Sequence, residues 1–195
     1  MSTKAAIFLL TVVQAAWTQI ASDSGPVPQQ SVDWKSLVPA LREVLRGGEF
    51  PSEVAALHVR RQADITGDGI PEALVDFGSG GAYTNYLTVV RLQNGRPVSA
   101  VFKRPDGKTG SMLFADGSSV KNGVTVELRP ESNAVFACEY SMKDDGRLAK
   151  CNGAAYQWNR QTSTFEYDKR LSGPLGKNFC RVLAKRLSAL PYPRK

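Results

Sequence analysis

The sequence predicts an α+β fold, mainly β. Its core is an antiparallel meander of short strands, folded as a curved sheet, a sandwich or a partial propeller-like body, with a helix at each end. Three observations predict it. Seven Asx-Gly dipeptides lie between Asp68 and Gly153, and such pairs tolerate positive φ and make tight hairpin turns. Between them stand short runs of β-branched and aromatic residues. Apolar residues at helical spacing occur only outside that region, so a βαβ layout is disfavoured. A chain of 195 residues suits one domain. With 42% hydrophobic and 22% charged residues, global disorder is excluded. No apolar run reaches the roughly 18 residues of a membrane helix, which excludes a multi-span protein.

Residues 1–22 read as a signal peptide. Lys4 is the only charge before Asp23, and Ala5–Val13 forms an apolar core too short to span a bilayer. Val13-Gln14-Ala15 and Ser22-Asp23-Ser24 both offer small residues for cleavage. The chain is therefore expected to be secreted or periplasmic, with no membrane span once the signal is removed. No cysteine stands near this segment, so a lipid-modified N-terminus is not expected. Gly25-Pro26-Val27-Pro28 makes residues 23–32 a linker, and 33–195 form the single domain.

Trp34, Leu37, Val38, Leu41, Val44 and Leu45 recur at helical spacing and predict a core-docking helix over 33–47. Ser36 can cap it, Pro39 fits its first turn and Gly47-Gly48 ends it. The β body runs over 55–168. Its strand segments are Tyr86–Val90, Val98–Phe102, Val124–Leu128, Val135–Tyr140, Ala155–Trp158 and Thr164–Tyr167. A basic helix follows over 176–190. Phe179, Val182, Leu183, Leu187 and Leu190 share one face, Lys177, Arg181 and Lys185 lie opposite, and Pro191-Tyr192-Pro193 stops it.

Asp64-Ile65-Thr66-Gly67-Asp68-Gly69-Ile70-Pro71-Glu72 carries the most chemistry. Oxygen ligands at positions 1, 3 and 5 of a tight loop converge on one point, and glycine at position 6 permits the turn. A backbone carbonyl at position 7 and a carboxylate at position 9 can complete the shell of a hard cation such as Ca²⁺. The ligand set is then Asp64, Thr66, Asp68, Ile70 through its carbonyl, and Glu72. An EF-hand is rejected, because its twelfth position is Val75 rather than glutamate. Thr66 is a weaker ligand than aspartate and should lower affinity. The same residues also suit a metal-free strand-to-strand turn.

This loop, followed by Ala73-Leu74-Val75-Asp76-Phe77, resembles the calcium loop of FG-GAP and VCBS repeats. In those propeller proteins it joins two strands and binds Ca²⁺. The resemblance covers about 14 residues and implies the same five ligands. The chain has one copy of the loop and lacks the length for a full propeller of four-stranded blades. Its wider layout is similar to small exported bacterial proteins with one such loop, a Gly-rich turn and paired strands ending in a Tyr-x-Trp segment.

Export gives the cysteines an oxidising setting. Of three pairings on paper, Cys138–Cys151 is best supported, because Asp145-Gly146 between them signals a hairpin. Cys180 is then a buried small residue on a helix. A zinc site is not indicated, since there is no Cys-x-x-Cys and His58 is remote in sequence from every cysteine. Gly78-Ser79-Gly80-Gly81 lacks the Gly-Lys-Ser/Thr of a phosphate loop and reads as a turn or bulge. Tyr83, Tyr86, Tyr156 and Trp158 read as core and cross-strand aromatics rather than a sugar-stacking face. Residues 169–195 hold eight Lys or Arg and no acid. The overall charge of +7 therefore sits in the tail, the β body is slightly acidic, and nucleic-acid binding by the body is not expected.

The sequence supports first an exported, non-catalytic β-rich module with a Ca²⁺ loop and a protein or glycan partner. Binding of an anionic surface through the basic C-terminal helix ranks second. A carboxylate-based hydrolase using the acids near 64–76 ranks third.

Overall fold

The computed structural model describes residues 30–46, 57–79, 84–117 and 122–189. The signal segment, most of the linker, Gly47-Gly48, Tyr83 and the stop at Pro191-Tyr192-Pro193 lie outside the described residues.

Strand alternation sorts the apolar side chains into three clusters. In β2 (Glu72–Ser79), Ala73 and Val75 face one way and Leu74 the other. In β9 (Ala134–Met142), Val135 and Ala137 face one way while Phe136 and Cys138 face the other. Each strand thus has two buried faces, and each sheet is covered on both sides. The result is four layers, helix on sheet on sheet on helix.

The first sheet runs β1 (His58–Ala63), β2, β3 (Thr84–Gln93), β4 (Arg96–Ser99), with β7 (Phe114–Gly117) along the start of β3. The second sheet has the order β6-β5-β11-β10-β9-β8. Its strands are β5 (Val101–Lys103), β6 (Thr109–Ser111), β8 (Asn122–Arg129), β9, β10 (Leu148–Asn159) and β11 (Thr164–Asp168). The expected antiparallel pairing holds except between β5 and β11, which pair in parallel. Of the forms the sequence allowed, the molecule takes the sandwich.

The expected strand Val98–Phe102 is two strands in two sheets. Ala100, fully buried, is the crossing point, and its N–H donates to the Val89 carbonyl at 2.9 Å. The run looks continuous because its residues are small or apolar throughout, with no glycine or proline between Val98 and Phe102 to mark a break. Asn94-Gly95, Asp106-Gly107 and Asp145-Gly146 turn as expected, with glycine φ of 74°, 81° and 78°. By contrast, Asp116-Gly117, Asn122-Gly123 and Asn152-Gly153 lie within strands. The β8–β9 and β10–β11 hairpins instead turn at Asn133 and Ser163, both with positive φ. Gly78, at φ 86°, marks a shift in the β2–β3 register, which is the expected bulge.

Between the sheets lies the main core. Phe102 is its hub, edge-on to Phe114 and Tyr156 and stacked on Phe165 at 5.4 Å. Such pairs contribute about 0.5–1.5 kcal/mol each beyond area burial. Tyr156 and Trp158 belong to this core, and Tyr86 stacks on Phe77.

The N-terminal helix, α1, spans Val38–Arg46 rather than 33–47. Residues 34–37 form a turn before it, and the Ser36 hydroxyl donates back to the Asp33 carbonyl instead of capping. Trp34 and Leu41 pack on Ala73, Val75 and Val90, covering the outer face of the first sheet.

The C-terminal helix, α2, spans Lys169–Ala189 and so starts seven residues before the expected 176. Gly173, Pro174 and Gly176 read as breakers, yet tertiary contacts override them. Asp168 Oδ1 caps the helix by accepting from Arg170 N (2.6 Å) and Leu171 N (3.1 Å). The buried Ser172 hydroxyl donates to the Asp168 carbonyl and accepts from Ala155 N at 2.8 Å, fastening helix to strand. The packing face is Leu171, Leu175, Phe179 and Cys180 on Phe136, Cys138 and Ala155. The expected apolar face is therefore corrected: Val182 is exposed, and Leu190 lies outside the described residues.

The disulfide joins Cys151 to Cys180, with Cα atoms 5.8 Å apart, and Cys138 is a buried free thiol. This corrects the expected Cys138–Cys151 pair. The register places Gly153 opposite Cys138 and Tyr140 opposite Cys151. The two cysteines are diagonal neighbours on one face, and α2 brings Cys180 onto that face. Among the described residues no helix is long and apolar enough to cross a membrane.

Candidate metal loop

The loop at 64–72 connects β1 to β2, as the sequence predicted, and its own hydrogen bonds organise it. Asp64 is the centre: its Oδ1 accepts from Thr66 N (3.2 Å) and Gly67 N (2.7 Å), and its Oδ2 from Gly69 N (2.9 Å). Gly67 and Gly69 have φ of 71° and 86°, a region that side chains resist. Asp68 Oδ1 accepts from Ile70 N at 2.9 Å.

Glu72 behaves differently. It is only 2% exposed and points inward. Its Oε2 accepts from Ile65 N at 2.9 Å, and its Oε1 from the Thr66 hydroxyl at 3.2 Å. Thr66 itself is buried. Burial pushes the Glu72 carboxyl up from 4.5 to about 7, and the charges of Asp68 and Asp64 push the same way. The bonds from Ile65 and Thr66 only partly offset this. Among the described residues, none of the three acids has a salt-bridge partner.

Of the five predicted ligands, Thr66 and Glu72 are in direct contact, while Asp64 gathers the loop amides. Asp68 is exposed and Ile70 half-buried. Among the described residues, the carboxyl oxygens of Asp64, Asp68 and Glu72 do not all lie within 4.8 Å of one another. The donor set is nonetheless all hard oxygen, held on a turn with two left-handed glycines. A buried carboxylate facing two more acids is a site that a divalent cation would relieve. The residues fit Ca²⁺ in kind.

The loop also reaches the second sheet. Arg160, from the β10–β11 turn, donates to the Gly67 carbonyl at 3.2 Å. Asn133, from the β8–β9 turn, lies against Gly67. Gln30 N donates to the Gly69 carbonyl at 2.8 Å. The loop thus sits where the two sheets meet at one end of the sandwich. No sequence signal pointed to Arg160, which is 93 residues from Gly67.

Asp76, Glu166 and Asp168 have other partners. Asp76 is buried and paired with Arg60, with Arg60 Nε 2.7 Å from Oδ2. An open cavity of about 660 Å³ includes Gln157, Asn159, Arg160, Glu166, Asp168 and Arg170 in its lining. Glu166 Oε1 there already accepts from Asn159, Thr162 and Thr164, and Asp168 caps α2. His58 is exposed at the start of β1.

No protein-family model, curated protein or solved structure matches the chain.

Proposed function

We propose that the protein is an exported, non-catalytic β-sandwich module that binds Ca²⁺ in the 64–72 loop and uses the ion to lock one end of the sandwich. Glu72 carries this reading. A carboxyl 2% exposed, beside two further acids and without a cationic partner among the described residues, is costly to ionise. A bound cation offsets that cost. The FG-GAP/VCBS-like order of the loop, the mature oxidising setting implied by the signal, and a disulfide support the same reading. A partner would be a protein or a glycan.

The test is a melt of the mature protein with and without millimolar Ca²⁺, with Mg²⁺ as control. Ca²⁺ should raise the melting temperature and Mg²⁺ should do so less, because Mg²⁺ dehydrates reluctantly. Identical melts in all three conditions would dismiss the metal reading.

A second reading rests on α2. Lys177 and Arg181 are exposed on it, beyond its packed face, and would engage an anionic surface. Deleting 177–195 would also remove Phe179 and Cys180 from the packing, so charge reversal is the cleaner test. Lys177→Glu with Arg181→Glu should abolish salt-sensitive sedimentation with phosphatidylglycerol vesicles. Unchanged sedimentation would rule the helix out.

A further inference from the structure

Cys138 Sγ lies 3.2 Å from Cys151 Sγ, while Cys151 is bonded to Cys180, and all three sulfurs lie within 4.8 Å of one another. A disulfide with a third thiol in contact has an internal exchange partner. We propose that the three cysteines form a thiol–disulfide relay in which Cys138 displaces Cys180 from Cys151 and unclamps α2 from the second sheet.

The step balances within the chain. Cys138 loses its proton to solvent, and the thiolate pair forms the Cys138–Cys151 bond. The Cys151–Cys180 bond breaks with its pair on Cys180, which takes up a proton. One disulfide and one thiol give one disulfide and one thiol, so no outside oxidant or reductant is needed.

The fold holds the starting state. Sulfurs so mutually close are bent rather than in line, so Cys138 must swing before it can displace Cys180. Burial pushes its thiol up to about 11, and Glu139 and Glu127 add to this, which keeps the thiolate scarce. The side chains around it, Phe136, Leu171, Leu175 and Phe179, are those that dock α2. Loosening that contact both hydrates Cys138 and frees Cys180 to leave. Beyond Cys180 the helix is largely exposed: Arg181, Val182, Ala184, Lys185 and Arg186 are exposed and Leu183 is half-buried. Exchange therefore releases the cationic end of α2 and puts a thiol where external disulfides and electrophiles reach it. The competing reading is that Cys138 is only a small buried apolar residue.

The experiment incubates the native full-length protein with N-ethylmaleimide, then maps tryptic peptides without reduction. Lys143, Arg147 and Lys150 separate Cys138 from Cys151, and Lys177 and Arg181 bracket Cys180. The relay predicts maleimide on Cys180 together with a Cys138–Cys151 crosslink. Cys138→Ala, whose two remaining cysteines are bonded to each other, is the control and should take up no label. Label on Cys138 alone, or a Cys151–Cys180 crosslink that persists unlabelled, overturns it. Should Cys138→Ala fail to fold, Cys180→Ala serves: with oxidised glutathione supplied as the two-electron oxidant, it should form a Cys138–Cys151 crosslink while folded, and two persistent free thiols under that oxidant would overturn the relay.

Discussion

Glu72 and Asp64 do opposite work within one nine-residue loop. Asp64 holds three backbone amides, so Asp64→Ala leaves three donors without their acceptor. A loss of about 1–3 kcal/mol is expected in urea unfolding of the metal-free protein. Glu72 instead has its folded pKa raised to about 7. Its favourable contribution is present below about pH 4.5 and fades as pH rises through 7, because the ionised form is the one that burial disfavours. The metal-free protein should therefore lose up to about 3 kcal/mol from this group between pH 4.5 and 8. Glu72→Gln should remove that slope, read as the difference between the two unfolding curves; parallel curves would refute the assignment. The β1–β2 loop and its two left-handed glycines were legible because a nine-residue motif needs only local spacing. Arg160, Asn133 and the sulfur contact were not, since each depends on how distant segments meet.

α2 docks on β10 with its backbone close to the strand. A Cβ on Gly153 would stand 2.6 Å from Gly176 Cα and 2.8 Å from the Phe136 ring. Backbone lies on one side and a core ring on the other, so neither neighbour can yield cheaply. Gly153→Ala should cost about 1–3 kcal/mol by overpacking, lowering the melting temperature by several degrees. A neutral effect would mean the helix does not sit this close. The same joint explains why the helix start was illegible. Gly173, Pro174 and Gly176 are poor helix formers, but glycine allows the close approach, and Asp168 and Ser172 supply the cap and the strand bond. Long strands rich in β-branched and aromatic residues, such as β3, β8, β9 and β10, were legible. The crossing at Ala100 was not, because a run without glycine or proline carries no mark of a change of sheet.

At the scale of the molecule, the loop is a clasp between sheets. It is covalently part of the first sheet and touches the second through Arg160 and Asn133. Arg160→Ala should loosen the metal-free protein slightly and strengthen Ca²⁺ binding by a few-fold, since a positive charge held on the Gly67 carbonyl of the loop competes with the ion. Calorimetry of the two proteins compares them directly, and weaker binding in the variant would contradict this. The overall architecture was foreseen as mainly β with terminal helices, while the division into two covered sheets required the long-range contacts of Phe102, Phe136 and Phe165. The cationic stretch of α2 follows Cys180, which is tied to Cys151, while Arg160 of the clasp lies at the opposite end of β10. The most direct measurement is isothermal titration of the mature protein with Ca²⁺. One ion per chain with heat lost in Asp64→Ala is the predicted result; no heat in the wild-type protein would contradict the account.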